Sequence, residues 1–158
     1  VRVVGIDPGL SGAIGLINDG IVLTWDTPTF EVIKAKKKRR QINATQFARI
    51  LESCQADHVV VEQVSAMPGQ GVASMFNFGR ALGVAEGSIG ALQIPLTMVT
   101  PQTWKRDLKL SSDKGESRRR ASLLYPQYAE QFARVKDDGR AEAVLLAHWF
   151  NQQRGTME

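Results

Sequence analysis

Three short stretches place carboxylates where apolar segments end or turn. Val3-Val4-Gly5-Ile6 runs into Asp7, Val59-Val60-Val61 runs into Glu62, and Asp137, Asp138 and Glu142 lead into the apolar run Ala143-Val144-Leu145-Leu146. A carboxylate in a buried hydrophobic strand is costly unless its charge is compensated. Neither of the first two stretches holds a basic residue that could do so. A divalent cation would compensate several acids at once, and an all-oxygen donor set favours a hard ion, Mg²⁺ or Mn²⁺, over Zn²⁺. Asp138 and Glu142 stand four apart, so on a helix they share a face where two carboxylates can share cations, and without metal they would repel each other. The alternative is that Asp137 or Asp138 merely caps the helix while Glu142 is solvated.

The elements that must position these acids follow from hydrophobic periodicity. Residues 1–7 read as a buried strand, 13–18 as a second and 21–27 as a third, joined by the turn Asn18-Asp19-Gly20, so the chain opens as an antiparallel meander. Residues 28–42 read as an extended, basic, structure-poor connection. Asn43, with Gln46 three residues on, offers an N-cap to an amphipathic helix carrying Phe47, Ile50, Leu51 and Cys54 on one face. The β-branched run at 58–64 predicts a central strand covered on both faces, with Glu62 as its anomaly. A long helix over about 71–92 carries Gly79, Gly83 and Gly87 at intervals of four; helix-interior glycines cost about 1 kcal/mol each against alanine, which predicts close approach of another backbone, from this chain or a twin. A fifth strand is expected over 94–99. Thr100-Pro101 then opens a short helix around Trp104, Asp113 and Glu116 have capping-box spacing for another helix ending at Pro126, and a last helix runs over about 138–152. This order predicts a single α/β layered domain over residues 1–158 with a five-stranded mixed sheet, the antiparallel meander plus parallel strands, and helices on both faces.

Composition narrows the partners. The 158 residues hold 43% hydrophobic residues, enough for one core, and a single cysteine, Cys54, which excludes an intrachain disulfide and a cysteine-based zinc site. With no apolar run long enough for a membrane span, and a strand where a secretory signal would begin, a reducing cytoplasmic setting is expected. The net charge is only +4, but Lys34, Lys36, Lys37, Lys38, Arg39 and Arg40 crowd one stretch and Arg118, Arg119 and Arg120 another. Such a run is commonly a solvated face; beside an acidic metal centre it points to a phosphodiester, whose backbone needs cations to offset the carboxylates.

Asp7 with Pro8-Gly9 and the small residues to Gly15, Glu62-Gln63 on a central strand, and the acidic C-terminal helix, in this order and spacing, resemble the RuvC family of Holliday-junction resolvases, within the ribonuclease H-like fold. The resemblance covers nearly the whole chain. It implies a homodimeric, Mg²⁺-dependent endodeoxyribonuclease of the bacterial or phage-infected cytoplasm, with no small-molecule cofactor. Such an enzyme makes paired symmetric nicks in branched four-way DNA junctions and leaves a 5′-phosphate and a 3′-hydroxyl. Asp7, Glu62, Asp138 and Glu142 would ligate two ions per active site, with Mn²⁺ able to substitute. Lys105 and Lys114 match basic residues that contact the scissile strand, and Lys114 would offset transition-state charge. Lys36, Lys37, Lys38, Arg39 and Arg118 would hold DNA phosphates. Relative to bacterial members the chain departs in ending on Glu142, in having Gly139 where the preceding acid is expected, so that Asp137 and Asp138 compete for that role, and in having Ser65 where an aromatic wedge stands. Met67-Pro68 is the apolar substitute there. The helix bearing Gly79 to Gly87, with Met75, Phe76 and Phe78 nearby, is the expected two-fold contact. A nuclease of the same fold acting on flaps, forks or RNA–DNA hybrids, and a junction-binding protein without cleavage, are the competing readings. His58 and His148 are expected to take no part in catalysis.

Overall fold

A computed structural model describes residues 1–157. Five strands form a mixed sheet in the order β3-β2-β1-β6-β7: β1 (Arg2–Asp7), β2 (Ala13–Asn18), β3 (Ile21–Asp26), β6 (His58–Glu62) and β7 (Leu96–Val99). The first three pair antiparallel, while β6 and β7 run parallel to β1. This is the expected meander extended by parallel strands.

The connection over residues 28–42 is not structure-poor. It folds into an antiparallel hairpin of its own, β4 (Thr29–Lys34) and β5 (Lys37–Ile42). Its two-residue turn is Ala35-Lys36, both left-handed at φ 50° and 60°. That backbone matches the twist of a hairpin, but the turn lacks the Asn-Gly or Asp-Gly pair that announces one, and β5 is nearly all cationic, so alternation of apolar and polar residues is hidden. The hairpin ends at Ile42, which is buried, and Asn43 then caps α1 (Ala44–Cys54), its side chain accepting from the Gln46 N–H at 3.1 Å.

Alternate residues of the central strands feed two cores. Val4, Ile6, Val59 and Val61 pack with Phe47, Leu51 and Cys54 of α1 and with Ala81, Ala85 and Ile89 of α2 (Val72–Ala91). Burial pushes the Cys54 thiol up to about 11, so it is an inert core group. On the opposite face Val3, Val60 and Val99 meet Trp104 of α3 (Pro101–Asp107), Ala121 of α4 (Glu116–Leu124) and the apolar side of α5 (Asp138–Gly155). Thr100 caps α3 as expected, accepting from the Thr103 N–H at 3.3 Å. The capping box proposed for Asp113 and Glu116 does not form: α4 begins after Gly115, which has φ 78°, and Glu116 turns inward to pair with Arg119 and Arg120. No helix of the described residues is long and apolar enough to cross a membrane.

Candidate metal centre

Two glycines decide where α5 lies. Gly5 of β1 and Gly15 of β2 are opposite each other in the ladder, and a Cβ on Gly5 would sit 1.9 Å from the Ala143 carbonyl oxygen, one on Gly15 2.9 Å from the Val144 backbone nitrogen. The helix backbone therefore rests directly on the sheet at residues 143 and 144. Glu142 is carried to the C-terminal end of β1, where Asp7 lies two residues beyond Gly5 on the same face. Val60 opposes Gly5 in the parallel register, so Glu62, two residues beyond Val60, emerges on that face beside Asp7.

Asp7, Glu62 and Glu142 thus converge, each offering a carboxylate oxygen within 4.8 Å of the others. Burial, then Glu142 and Glu62, push the Asp7 carboxyl well above its ordinary range, against the pull of Lys105. Burial also raises Glu62, opposed first by a hydrogen bond: the buried Trp104 indole N–H donates to Glu62 Oε2 at 2.8 Å. Glu142 Oε1 accepts from Lys105 Nζ at 2.9 Å and from Ser117 Oγ at 3.3 Å. Burial works against the Lys105 charge, but the hydrogen bond to Glu142 and the field of all three acids hold its pKa above the usual lysine value. One ammonium shared among three acids leaves the cluster electron-rich, and all its donors are hard oxygens. That donor set fits a divalent cation such as Mg²⁺ or Mn²⁺.

The two acids that competed for the remaining position are separated cleanly. Asp137 is fully buried, accepting from the Arg134 N–H at 2.9 Å and from its guanidinium at 2.8 Å, which holds its carboxyl below the usual range. It closes the turn before α5 and does not line the cleft. Asp138 is exposed and lines the cleft with Asp7, Lys105, Lys114 and Glu142, its Oδ1 accepting from Arg118 Nε at 3.0 Å. It lies outside the three-acid cluster. Gly139 cannot carry an acid: a Cβ there would stand 2.8 Å from the Ser11 carbonyl oxygen. The acid of this turn that lines the cleft is Asp138, one residue toward the N-terminus from Gly139.

Lys114 lies exposed on the loop that roofs the cleft, whose volume is about 520 Å³. Lys36, Lys37, Lys38 and Arg39 are exposed on the hairpin, and Lys38 comes within 3.9 Å of Glu31. Arg118 is occupied by Asp138, and Met67 is 63% exposed in the loop after β6. Neither histidine enters the cleft: His58 stacks on Phe150 and His148 bonds Tyr125 Oη. Sequence reading missed Trp104 and Ser117 as partners of the acids. A tryptophan on the buried side of α3 was a signal for the first, because an enclosed indole N–H requires an acceptor.

No protein-family model and no curated protein matches the chain. Solved structures do. Thermus thermophilus RuvC in complex with Holliday junction substrate superposes with a TM-score of 0.65 at 16% identity, over 99% of this chain and 97% of that one. A second Thermus thermophilus RuvC structure gives 0.57 at 18% identity, over 99% and 98%. The chain has the RuvC-type, ribonuclease H-like α/β fold.

Proposed function

We propose that this protein is a metal-dependent endodeoxyribonuclease that resolves four-way DNA junctions. The observation that carries the reading is the convergence of Asp7, Glu62 and Glu142, from β1, β6 and α5, at an open cleft that Asp7 and Glu142 line together with two lysines. The RuvC fold supports the substrate class, one of the similar structures being a complex with a Holliday junction.

Asp7, Glu62 and Glu142 would hold a divalent cation, Mg²⁺ or Mn²⁺, and Asp138 on the rim is the ligand available to a second once it leaves Arg118. When bound, such cations supply the acidity that turns water into a nucleophile and the positive charge that a leaving 3′ oxygen needs. The protein's own groups do the rest. Trp104 occupies one lone pair of Glu62 and so fixes which carboxylate oxygen faces the cleft. Lys105 keeps Glu142 oriented in the absence of metal. Lys114, across the same cleft, offsets charge that builds on the scissile phosphate. With no histidine, cysteine or serine nucleophile required, hydrolysis leaves a 5′-phosphate and a 3′-hydroxyl.

Paired symmetric nicks need two copies. Gly79, Gly83, Gly87 and Gly90 form an open stripe on α2: among the described residues, nothing beyond the helix's own backbone and the chain neighbours lies within 4 Å of a Cβ added at any of them. The close approach that their spacing predicts is not met among the described residues, which favours a second copy on that face. Phe78 is not part of it, since it packs toward Gly9.

The test is Mg²⁺-dependent cleavage of a mobile four-way junction beside fork, flap, RNA–DNA hybrid and linear duplex, with Glu62→Gln as control and light scattering on both proteins. Paired nicks in the junction alone, by a dimer, and none by the mutant are expected. Equal cleavage by the mutant removes Glu62 from the site, and preference for a flap or hybrid replaces the substrate.

A further inference from the structure

Away from the carboxylates, the hairpin and the first turns of α2 flank a groove of about 650 Å³. Its walls carry Lys34, Arg39, Arg40 and Arg80, and among the described residues no acidic one lines it. Among the described residues none of these four cations has a carboxylate within 4.0 Å, so the groove holds uncompensated positive charge. Between them Phe76 is 64% exposed, and the Arg80 guanidinium carbon lies 5.1 Å from its ring centroid. An aromatic ring left in water beside four free cations is matched by a ligand that alternates anions with flat rings. Unpaired nucleic acid has that chemistry; a duplex does not, because its rings are stacked on each other.

The groove also adjoins the metal centre. Arg40 lines it and donates from Nη2 to Ser11 Oγ at 3.3 Å, and Ser11 lines the carboxylate cleft. A strand leaving the cleft past Ser11 would meet Arg40 first and then Phe76.

We infer that this groove binds an unpaired stretch of the DNA strand that passes through the cleft, with one base on the face of Phe76 that Arg80 leaves open and the phosphates on Lys34, Arg39 and Arg40. The inference rests on the nuclease reading for the identity of the strand. It assigns the basic hairpin a fixed role, with Arg39 and Arg40 on the groove while Lys36, Lys37 and Lys38 do not line it. It also gives the protein an aromatic contact with opened DNA from a helix, in place of the loop that carries Ser65.

The test measures fluorescence anisotropy of labelled oligothymidylate and of a linear duplex in EDTA, where no cleavage intervenes. Proteins compared are the parent, Glu62→Gln, Phe76→Ala and Arg80→Gln, the last an exposed position where misfolding is not at issue. Phe76→Ala should weaken single-strand binding about tenfold, the loss expected for one base–aromatic stack, while duplex affinity moves by less than about twofold. Arg80→Gln should weaken the single strand by releasing the Phe76 ring, and should flatten its salt dependence by less than the about 0.7 log unit of a full phosphate contact. Glu62→Gln should bind as the parent or more tightly. Parent-like single-strand binding by both groove variants overturns the inference. So does an equal loss on duplex and single strand, or conversion of a dimeric parent to a monomer by Phe76→Ala, which would make the groove a subunit contact. A parent that cuts no DNA in Mg²⁺ yet loses single-strand affinity on Phe76→Ala refutes the nuclease reading and leaves the groove standing. Cleavage with silent groove variants does the reverse.

Discussion

Replacing Asp7 with asparagine should make the metal-free protein more stable and at the same time abolish its response to metal. Asp7, Glu62 and Glu142 hold carboxylate oxygens within 4.8 Å of one another. At that separation and an effective dielectric of about 20, each like-charge pair costs roughly 3.5 kcal/mol. Asp7 takes part in two such pairs, partly offset by Lys105, whose ammonium lies 2.9 Å from Glu142 and whose charge also draws the Asp7 pKa down. The cleft is open to water, which screens the pairs, so a net gain of about 2 kcal/mol is expected, or about 4–8 °C in Tm for a domain of this size. Saturating Mn²⁺ at about a hundredfold its Kd should stabilise the parent by about 2.7 kcal/mol and the mutant by far less. The sign of the pH dependence follows from the raised Asp7 pKa. Between its ordinary value of 3.8 and its raised folded value the parent holds a proton that the unfolded chain has released, so there the parent loses stability as pH rises and the advantage of Asp7→Asn grows, reaching its full size once Asp7 ionises. Thermal melts in EDTA and in Mn²⁺ across pH measure all three. A mutant that melts at or below the parent in EDTA, or that gains as much as the parent from Mn²⁺, would refute the assignment of a repulsive metal cluster.

The neighbouring acids of α5 should separate by phenotype. Asp137→Asn weakens its buried bonds to Arg134 and should cost about 1–3 kcal/mol of stability while leaving cleavage per folded molecule near normal; Asp138→Asn should leave Tm within a few degrees and lower the cleavage rate by orders of magnitude, and the opposite pattern would move the ligand by one residue. Trp104→Phe keeps the packed ring but removes the donor to Glu62, so Mn²⁺ affinity measured by calorimetry should fall about tenfold, whereas unchanged affinity would deny Trp104 a positioning role. Both imidazoles should titrate below 6.5 by NMR, since burial lowers His58 and His148, further helped by Arg154 and Arg120 respectively. Their contribution to stability is then complete above pH 6.5 and is lost as pH falls toward the folded values; a pKa above 6.5 for either would contradict the burial.

What the sequence determined by itself was what neighbouring residues dictate. The β-branched run Val59-Val60-Val61 could only be a covered strand, the meander followed from alternation and the Asn18-Asp19-Gly20 turn, and Asn43 and Thr100 marked helix starts because their side chains accept from N–H groups three residues on. Two strand acids without local cations, and a third on a helix, marked the carboxylates that the fold brings within 4.8 Å of one another. Other features were decided only by contacts across the chain. The hairpin at residues 29–42 escaped notice because its turn, Ala35-Lys36, carries no local signal and its pairing is stabilised between strands. Whether Asp137 or Asp138 faced the cleft could not be read from spacing. It was settled by Arg134, which buries Asp137, and by the Ser11 backbone, which leaves no room for a side chain at Gly139. Trp104 and Ser117 became partners of Glu62 and Glu142 across 42 and 25 residues of sequence. The groove beside Phe76 exists because a hairpin from one part of the chain stands against a helix from another. Local propensity records what a residue does to its own backbone, while the enclosure of charge depends on which distant surfaces close around it, and here that closure was set by two glycines that let α5 rest on the sheet.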